Sequence, residues 1–490
     1  MDEILQLGAL ELAEKIRKKK YSPLEVTETY IAQVKKINPK INALVEENFE
    51  KATAEAIKKT DDLNKNPEVA EKQKLYGVPF TVKEMISVNG FLQTAGNIHH
   101  KNNRRDFTSP IVQRTLDEGA ILLGTSNVPE LGFWFETRNA VYGTTSNPYN
   151  YKKTAGGSSG GESALIGSAC SAFGLGSDVG GSIRIPAFFC GIFGHKSTNK
   201  TIPITGHFPH TPDSVSRMLT ACYPITCMGP IARQAKDLNF LLRLYMKPDS
   251  WDKEVTKKDW LQEPRTSLKG LKVFICPDPI ISFTRRADTE LQDSVLKSGK
   301  YLEKLGAELI DFDQKFFTKA LKLWGAGLRG EKDKTFENSA SATQGLNLTK
   351  EFLNIFKGQA RHTLPALATV LAERTLSKLS VDRGSFSYEL DKVRNDLNEI
   401  LGSDGVLILP PHSRVAPDHG WVMSTPFDFS YAGIFNALGS PATAVPIGLN
   451  AAGMPLGVQV VANHFHDHLT LGVAQVLETA FGGWVPPKIR

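Results

Sequence analysis

Two glycine-rich turns carry the serines that could do chemistry in this sequence. Residues 156–160 read GGSSG, and residues 178–184 read DVGGSIR. In the second turn, the two glycines before Ser182 allow backbone N–H groups to turn towards one point. Such donors beside a hydroxyl can hold the negative charge that develops during acyl transfer. The pattern therefore indicates a serine nucleophile next to an oxyanion hole.

The first turn has two other interpretations, which the surrounding residues disfavour. GGSSG matches the G-x-S-x-G nucleophile elbow, which needs a strand before the serine and a helix after it. Residues 141–155, which precede the turn, are typical of a loop. A phosphate-binding loop is the second alternative, but the sequence contains no G-x-x-x-x-G-K-[ST] pattern. A plain glycine turn explains the composition of this segment equally well.

A nucleophilic serine needs a base, and Lys83 is the candidate. It ends the apolar run GVPFTV at residues 77–82, where a lysine at the end of a buried strand is unusual. A lysine can act as a base when burial and neighbouring donors lower its pKa from about 10.4 towards 7. A lysine exposed at the surface is the alternative and the commoner case. Asp178 and Arg184 flank the second turn, and we interpret them as an ion pair that fixes the loop.

The composition is that of a globular chain. It has 490 residues, of which 41% are hydrophobic and 22% charged. The net charge of +6, from 58 basic and 52 acidic residues, is too small to predict a nucleic-acid partner. Five cysteines, an odd number without dense spacing, predict reduced thiols in an intracellular protein. Cys222 and Cys227 lie close in sequence, but no second pair completes a zinc site, so we predict no metal.

The sequence predicts a cytoplasmic or membrane-associated location. No run of about 18 apolar residues is visible, and the N-terminal segment does not read as a signal peptide. The sequence leaves open whether a membrane anchor precedes Met1. The basic run at residues 15–20 could contact anionic lipid, so peripheral membrane contact is compatible with the sequence. A solvated helix face is the favoured interpretation of that run.

Periodicity predicts the elements that position these residues. Two amphipathic helices are expected at 8–20 and 24–37, the second with a capping box that begins at Ser22. The run 162–174 reads as helical. Strands are expected at 78–82, 120–124, 271–276, 405–410, 442–448 and 457–462, with helices at 109–119, 288–305 and 380–401. This alternation predicts an α/β fold with a large, twisted, mixed central sheet covered by helices on both faces, in one interleaved domain.

Six motifs occur in the order typical of a known family. They read LYGVPFTVKE, GTSNVPELGF, YGTTSNPYN, AGGSSGGESALIGSA, GSDVGGSIRIPAFFCGIFGHKST and MGPIAR. In these motifs the chain resembles the amidase signature family over nearly its whole length, and its C-terminal segment is most similar to the fatty-acid amide branch. The resemblance implies a single amidase domain over residues 1–490. Its parts would be N-terminal helices at 1–75, a catalytic core at 76–235, a helical, pocket-shaping region at 280–400, and strands and a helix at 401–490 that complete the core.

The resemblance also implies a role for each residue of the two turns. Ser182 would be the nucleophile, Ser158 the bridging serine with a cis peptide bond, and Lys83 the base. The oxyanion hole would consist of the backbone N–H groups of Val179, Gly180, Gly181 and Ser182. Supporting roles would fall to Ser159, Asp178 and Arg184. No metal and no organic cofactor would be required.

A serine amidase of the fatty-acid amide type is therefore the expected function. Its substrate would be a small, lipid-like amide, a fatty-acid primary amide or an N-acyl amine, and no nucleic acid is expected as a partner. A homodimer is compatible with the sequence. The alternatives are an amidase for short-chain or aryl amides, a protein similar to the amidase component of a tRNA-dependent amidotransferase, and a binding protein that keeps the scaffold without activity. Intact Lys83, Ser158 and Ser182 argue against the last of these.

Three further sequence features have open interpretations. Glu84 stands where many members of the family have aspartate, which we interpret as a mark of the fatty-acid amide branch. The aromatic run at residues 133–135 would line an acyl channel, pack in the core or lie at the surface. The histidines of HFHDH at residues 464–468 imitate a metal site, but the resemblance places them at a connection between a strand and a helix.

Overall fold

The fold is built around a mixed β-sheet, to which eleven of the described strands belong. The structure is a computed structural model that describes residues 2–209, 224–255, 261–328, 336–341, 346–376 and 383–488. Cys222 lies outside these ranges. The strands are β1 Leu44–Glu47, β2 Pro79–Lys83, β3 Ile121–Ser126, β4 Arg138–Asn139, β5 Gly143–Thr144, β6 Ser146–Asn147, β7 Asn150–Thr154, β8 Phe173–Asp178, β9 Phe193–Lys196, β10 Cys227–Ala232, β11 Lys272–Ile275, β12 Glu308–Asp311, β13 Gly405–Leu409, β14 Ala442–Leu449 and β15 Pro455–Ala462.

The order of strands in the sheet is β1-β3-β2-β8-β10-β9-β14-β15-β13-β11-β12. Strand β2 runs parallel to both β3 and β8, and β11 runs parallel to both β12 and β13. The other neighbours pair antiparallel. The predicted mixed central sheet is therefore confirmed. Strands from the N-terminal and the C-terminal part of the chain share this one sheet.

Helices connect the strands along the chain. They are α1 Ala9–Arg17, α2 Pro23–Ile41, α3 Phe49–Lys65, α4 Glu68–Lys72, α5 Pro110–Asp117, α6 Gly160–Gly167, α7 Arg184–Phe189, α8 Ala235–Tyr245, α9 Thr289–Lys304, α10 Ala320–Gly327, α11 Phe336–Ser341, α12 Leu348–Phe356, α13 Leu364–Leu376, α14 Arg383–Leu401, α15 Ser430–Leu438 and α16 Asp467–Phe481. Among the described helices, none is long and apolar enough to cross a membrane.

Most of the predicted elements lie where the periodicity placed them. The capping box of α2 is present, since the Glu25 N–H donates to Ser22 Oγ and the Ser22 N–H faces the Glu25 carboxylate. All six predicted strands exist within two residues of the expected bounds. Helices α9 to α14 begin between residues 280 and 400, and the edge strand β12 lies among them.

The prediction of a helix throughout the run 162–174 is wrong in its second half. Helix α6 ends at Gly167, and the chain enters strand β8 at Phe173. The glycines of β8 lower the strand propensity of its sequence, but close packing against other residues requires them. A Cβ added to Gly174 would collide with Glu162 Oε1 on α6, and one added to Gly176 would lie 3.0 Å from Ser159 Oγ.

The loop prediction for residues 141–155 also needs a correction. This segment contains β6 and β7, which pair with each other in a small sheet of two strands. Strand β7 ends at Thr154, and α6 begins at Gly160. The first glycine–serine turn therefore connects a short strand to a helix, although that strand is not part of the central sheet.

Candidate active site

The carboxyl ends of two parallel strands bring Lys83 and Ser177 together. Lys83 is the last residue of β2, and Ser177 precedes the last residue of the neighbouring strand β8. Because parallel strands end at the same edge of a sheet, their last side chains meet there. Lys83 Nζ lies 2.8 Å from Ser177 Oγ and 3.5 Å from the Ser177 carbonyl oxygen. Lys83 is completely buried, so the surface-lysine alternative is wrong.

Ser158 completes a buried contact with this lysine. Its Oγ lies 2.6 Å from Lys83 Nζ, and the side chain is 3% exposed. The peptide bond between Gly157 and Ser158 is cis, which is the configuration that the resemblance implies for this residue. Ser158 therefore occupies a position from which its hydroxyl can exchange a proton with the amine of Lys83.

Ser182 lies in the turn between β8 and α7, and unlike Ser158 it is partly exposed. The two glycine–serine turns are in direct contact, because the Ser159 N–H donates to the Ser182 carbonyl oxygen at 3.1 Å. Ser159 Oγ in turn donates to the Ser177 carbonyl oxygen at 3.3 Å. Hydrogen bonds through Ser159 thus fix the second turn against the first and against the end of β8.

A buried ion pair holds the second turn. Arg184 Nε lies 3.1 Å from Asp178 Oδ2, and Asp178 Oδ2 also accepts the Ile183 N–H at 3.0 Å. Although burial opposes ionisation, the Arg184 guanidinium and the backbone N–H donors hold the pKa of the Asp178 carboxyl well below its ordinary value. Arg184 donates further to Gln459 Oε1 and to Asn436 Oδ1. The interpretation of Asp178 and Arg184 as a pair that fixes the loop agrees with these contacts.

Replacing Asp178 with asparagine is expected to lower the free energy of unfolding by about 3–5 kcal/mol, because it leaves the buried Arg184 charge unpaired. Urea unfolding of wild type and Asp178→Asn at neutral pH measures this difference. The folded-state pKa of Asp178 lies below the unfolded value of about 3.9, so its contribution is fully present above the unfolded pKa and is lost as the pH falls through the folded-state pKa. The difference between the two proteins should therefore shrink in acid.

An exposed ion pair provides the matched control for this variant. Asp404 pairs with Arg265 at 2.6 Å, but the Asp404 side chain is 55% exposed. Asp404→Asn should cost only about 0–1 kcal/mol. If both variants lost the same free energy of unfolding, the buried pair would stabilise the fold no more than the exposed pair, which would contradict this prediction.

The second turn carries the four backbone N–H groups that the resemblance implies as an oxyanion hole. Val179 and Gly180 are partly exposed, as Ser182 is. The Val179 carbonyl oxygen accepts from Trp324 Nε1 at 2.8 Å, which fixes the orientation of this peptide. The Gly181 N–H, however, donates to Asp178 Oδ1 at 2.7 Å. One of the four predicted oxyanion donors is thus directed at a carboxylate of the protein.

The sequence patterns did not identify two residues that are connected to Lys83, Ser177 directly and His207 through Ser177. Ser177 Oγ lies 2.8 Å from Lys83 Nζ, and His207 Nε2 lies 2.7 Å from Ser177 Oγ. Both side chains are buried, His207 at 3% exposure. Ser177 directly precedes the DVGGS turn, which is a signal that could have identified it. His207 follows an unremarkable segment, and no local pattern marks it.

Two buried carboxyl groups surround the lysine end of β2. Burial raises the pKa of Glu162 to about 7, against the opposing effect of hydrogen bonds from Ser126 and Thr81. Burial likewise raises the pKa of Glu84 to about 7, and Glu84 accepts the backbone N–H groups of Thr94 and Ala95. Glu84 thus holds the loop that follows β2.

A cavity of about 390 Å³ lies beside the first turn. Phe133 and Trp134 line it, whereas Phe135 packs against His412 and Phe429. Its lining residue Trp134 lies next to the first turn, since a Cβ added to Gly157 would lie 2.6 Å from the Trp134 carbonyl oxygen, but Lys83, Ser158 and Ser182 do not line the cavity. Other lining residues come from the helical region and from the segment before α15: Ile355, Ala360, His362, Thr363, Leu364, Pro365, Gly420 and Met423.

The histidines of HFHDH lie where the resemblance placed them. His464 and His466 fall between β15 and α16, and His468 is in the first turn of α16. The rings of His466 and His468 are 5.7 Å apart. Within the described ranges, no cluster of three or more His, Cys, Asp or Glu side chains could hold a metal ion.

Comparison with known proteins gives one family profile and several similar proteins. A sequence profile described as Amidase matches residues 25–471. The human protein named fatty-acid amide hydrolase 2 is 36% identical, and the match covers 99% of this chain and 91% of the human protein. An acylamidase from Rhodococcus erythropolis is 28% identical, with coverage of 98% of this chain and 97% of that protein.

A solved structure agrees with the fold over the whole chain. It is that of 6-aminohexanoate cyclic dimer hydrolase complexed with substrate, with a TM-score of 0.79 and 24% identity, and the match covers all of both chains. A structure named fatty acid amide hydrolase matches with a TM-score of 0.76 at 20% identity, over 98% of this chain and 86% of that one. At these identities the likeness concerns the fold alone.

Proposed function

This chain belongs to the amidase family and is an amide-hydrolysing enzyme, and we propose that it cleaves fatty-acid primary amides or N-acyl amines through an acyl-enzyme on Ser182. The observation that carries this proposal is the contact of 2.6 Å between Lys83 Nζ and Ser158 Oγ, in a buried site whose neighbouring turn presents a partly exposed serine. Ser182 is the nucleophile, Ser158 relays protons and Lys83 is the base.

The accessibility of the two serines supports this division of roles. A nucleophile must reach the substrate carbonyl, and Ser182 is partly exposed where Ser158 is buried. A proton relay must contact the base, and Ser158 lies against Lys83. Burial favours the neutral amine of a lysine over the charged form, and the neutral amine is the form that can accept a proton. Lys83 is completely buried at the end of its strand.

In the acylation step, Lys83 Nζ takes the proton of Ser158, and Ser158 Oγ takes the proton of Ser182. Ser182 Oγ then forms a bond to the amide carbonyl carbon, and the carbonyl oxygen becomes an oxyanion. When the tetrahedral intermediate collapses, the C–N bond breaks, and the proton returns through Ser158 to the departing nitrogen. In deacylation, water adds to the ester carbon and gives a proton to Lys83 through Ser158. When the second tetrahedral intermediate collapses, the bond to Ser182 Oγ breaks, and the proton returns through Ser158 to Ser182.

Three backbone N–H groups stabilise the oxyanion in this proposal: those of Val179, Gly180 and Ser182. The Gly181 N–H, which the resemblance implies as a fourth donor, bonds to Asp178 and thereby holds the shape of the turn. Donors fixed in advance need no reorganisation when charge develops, which is why they lower the barrier. The ion pair of Asp178 and Arg184 supplies that rigidity.

The lipid character of the substrate rests on two supports. One is the 36% identity to a protein named fatty-acid amide hydrolase 2. The other is the cavity beside the first turn, where Phe133, Trp134, Leu364 and Met423 form an apolar part that suits an acyl chain, next to a polar part with Glu130, Glu136 and Arg138. The carbonyl group of such a substrate would lie at Ser182, with its chain along the aromatic residues.

Activity is expected to rise with acyl chain length in a panel that runs from acetamide to oleamide and anandamide. Each methylene that leaves water contributes about 0.8 kcal/mol when it is buried, so long chains should gain strongly in kcat/KM. Release of ammonia or amine measures the rates. Preference for acetamide or for aryl amides would leave the mechanism intact and contradict the lipid assignment. Co-purification of stable partner chains with activity on tRNA-linked substrate would favour an amidotransferase component instead.

A further inference from the structure

We propose that His207 is a positioning residue that acts through Ser177 to direct the lone pair of Lys83 towards Ser158. The inference rests on the proposed function, since it assigns a task to the same base. It starts from a continuous chain of contacts. His207 Nε2 lies 2.7 Å from Ser177 Oγ, Ser177 Oγ lies 2.8 Å from Lys83 Nζ, and Lys83 Nζ lies 2.6 Å from Ser158 Oγ.

All four groups of this chain are buried, at 3% exposure or less. Bulk water therefore does not set the direction of their hydrogen bonds, which depends on the neighbouring groups of the protein. A serine hydroxyl has one proton to donate, and a neutral amine has two N–H groups and one lone pair. The direction of one hydrogen bond consequently biases the direction of the next.

Only one of the two directions allows Lys83 to act as a base. If Ser177 donates its proton to His207, its Oγ can accept an N–H of Lys83, and the Ser177 carbonyl at 3.5 Å is an acceptor for the second. The lone pair of Lys83 is then left for the proton of Ser158. If Ser177 instead donates to Lys83, that lone pair is occupied, and Ser158 receives an N–H and cannot transfer its proton. If Nε2 of His207 carries no proton, it can only accept the proton of Ser177, and the first arrangement is selected.

The backbone around His207 fixes it against the segment that follows Lys83. The Phe208 N–H donates to the Met85 carbonyl oxygen at 2.8 Å, and the Ser87 N–H donates to the Gly206 carbonyl oxygen at 2.9 Å. His207 and Ile86 form an antiparallel bridge between these two bonds. The backbone that carries the imidazole is therefore attached to the same loop that leaves the lysine end of β2, which limits its movement away from Ser177.

A double-mutant cycle tests this role with oleamide as the substrate. The variants are His207→Leu, Ser177→Ala and the combination of both. We expect His207→Leu to lower kcat by about tenfold with KM unchanged. In the Ser177→Ala background, the same change should alter kcat by less than about twofold, because the connection to Lys83 is already lost. Losses that multiply independently, or a change confined to KM, would overturn the proposal.

Rescue by a conservative variant separates positioning from packing. The amide oxygen of His207→Gln can accept the Ser177 proton, so this variant should recover most of the kcat that His207→Leu loses. A glutamine variant as slow as the leucine variant would count against the proposal. Absence of Ser182-dependent turnover in the wild type would instead refute the proposed function, and a normal kcat in His207→Leu would refute only the role of His207.

A measurement on the folded wild type keeps the proposal falsifiable if the variants do not fold. Nitrogen-15 NMR of protein labelled at histidine distinguishes the two neutral tautomers, and the spectrum of His207→Gln, or of the wild type treated with an alkyl fluorophosphonate, assigns the signal. We expect His207 to carry its proton on Nδ1, with Nε2 unprotonated. A protonated Nε2 in the active enzyme would overturn the proposal, since that nitrogen could then only donate to Ser177.

Discussion

Replacing Ser182 with alanine is expected to lower kcat for amide hydrolysis by about 10⁴-fold or more. The variant loses the atom that attacks the carbonyl carbon, and only the oxyanion donors and substrate binding remain to accelerate attack by water. Steady-state hydrolysis of oleamide by wild type and Ser182→Ala gives the ratio. Substrate binding should persist, because the change removes a single oxygen from a partly exposed side chain.

Ser163 provides the matched control for this experiment. It is a buried serine on α6, close to the first turn, and no hydrogen-bond partner of its Oγ lies among the described residues. Ser163→Ala should retain the wild-type kcat. Full activity in Ser182→Ala would show that another residue is the nucleophile, and Ser158 would then be the first candidate because of its contact with Lys83.

Replacing Lys83 with alanine is the second change with a large expected effect. Loss of a general base costs about 10²–10⁴-fold in rate, so kcat for oleamide should fall within that range. The loss should be smaller for a p-nitrophenyl ester, because that leaving group departs without the proton that an amide nitrogen needs. The variant should also lose about 1–3 kcal/mol of stability, since Ser158 and Ser177 lose their buried partner.

Lys196 is the matched control for Lys83. It is also a completely buried lysine, and its Nζ donates to the Ser197 carbonyl oxygen and to Asn199 Oδ1. Lys196→Met should therefore lose stability of a similar size and keep kcat. Thermal unfolding and rates measured on both variants separate the two effects. A Lys83→Ala enzyme with unchanged kcat, or with equal losses on amide and ester, would contradict the role of base.

The sequence predicts those parts of the site whose residues lie close together in the chain. The turn from Asp178 to Arg184 is one local unit, so its ion pair could be inferred from seven residues. Lys83 could be named only because the apolar run before it indicates a buried strand. Its contact with Ser158 depends on how the first turn packs against β2, and the resemblance supplied it where spacing could not.

The remaining parts depend on contacts between distant segments. Strand β8 was hidden because its glycines suppress strand propensity, while the close packing of Glu162 on Gly174 requires them. His207 reaches Ser177 because a bridge to Ile86 folds its segment back onto the loop after β2. Neither feature has a periodic or compositional signal. The direction of the Gly181 N–H towards Asp178 is equally a result of the folded turn.

The most direct test of the central claim is to identify the serine that reacts with an alkyl fluorophosphonate. The wild-type protein is labelled, digested, and mapped by mass spectrometry. The proposed mechanism predicts a single modification on Ser182, and it predicts that Ser182→Ala is not labelled. A modification on Ser158, or a wild-type protein that does not react at all, would contradict the assignment of Ser182 as the nucleophile.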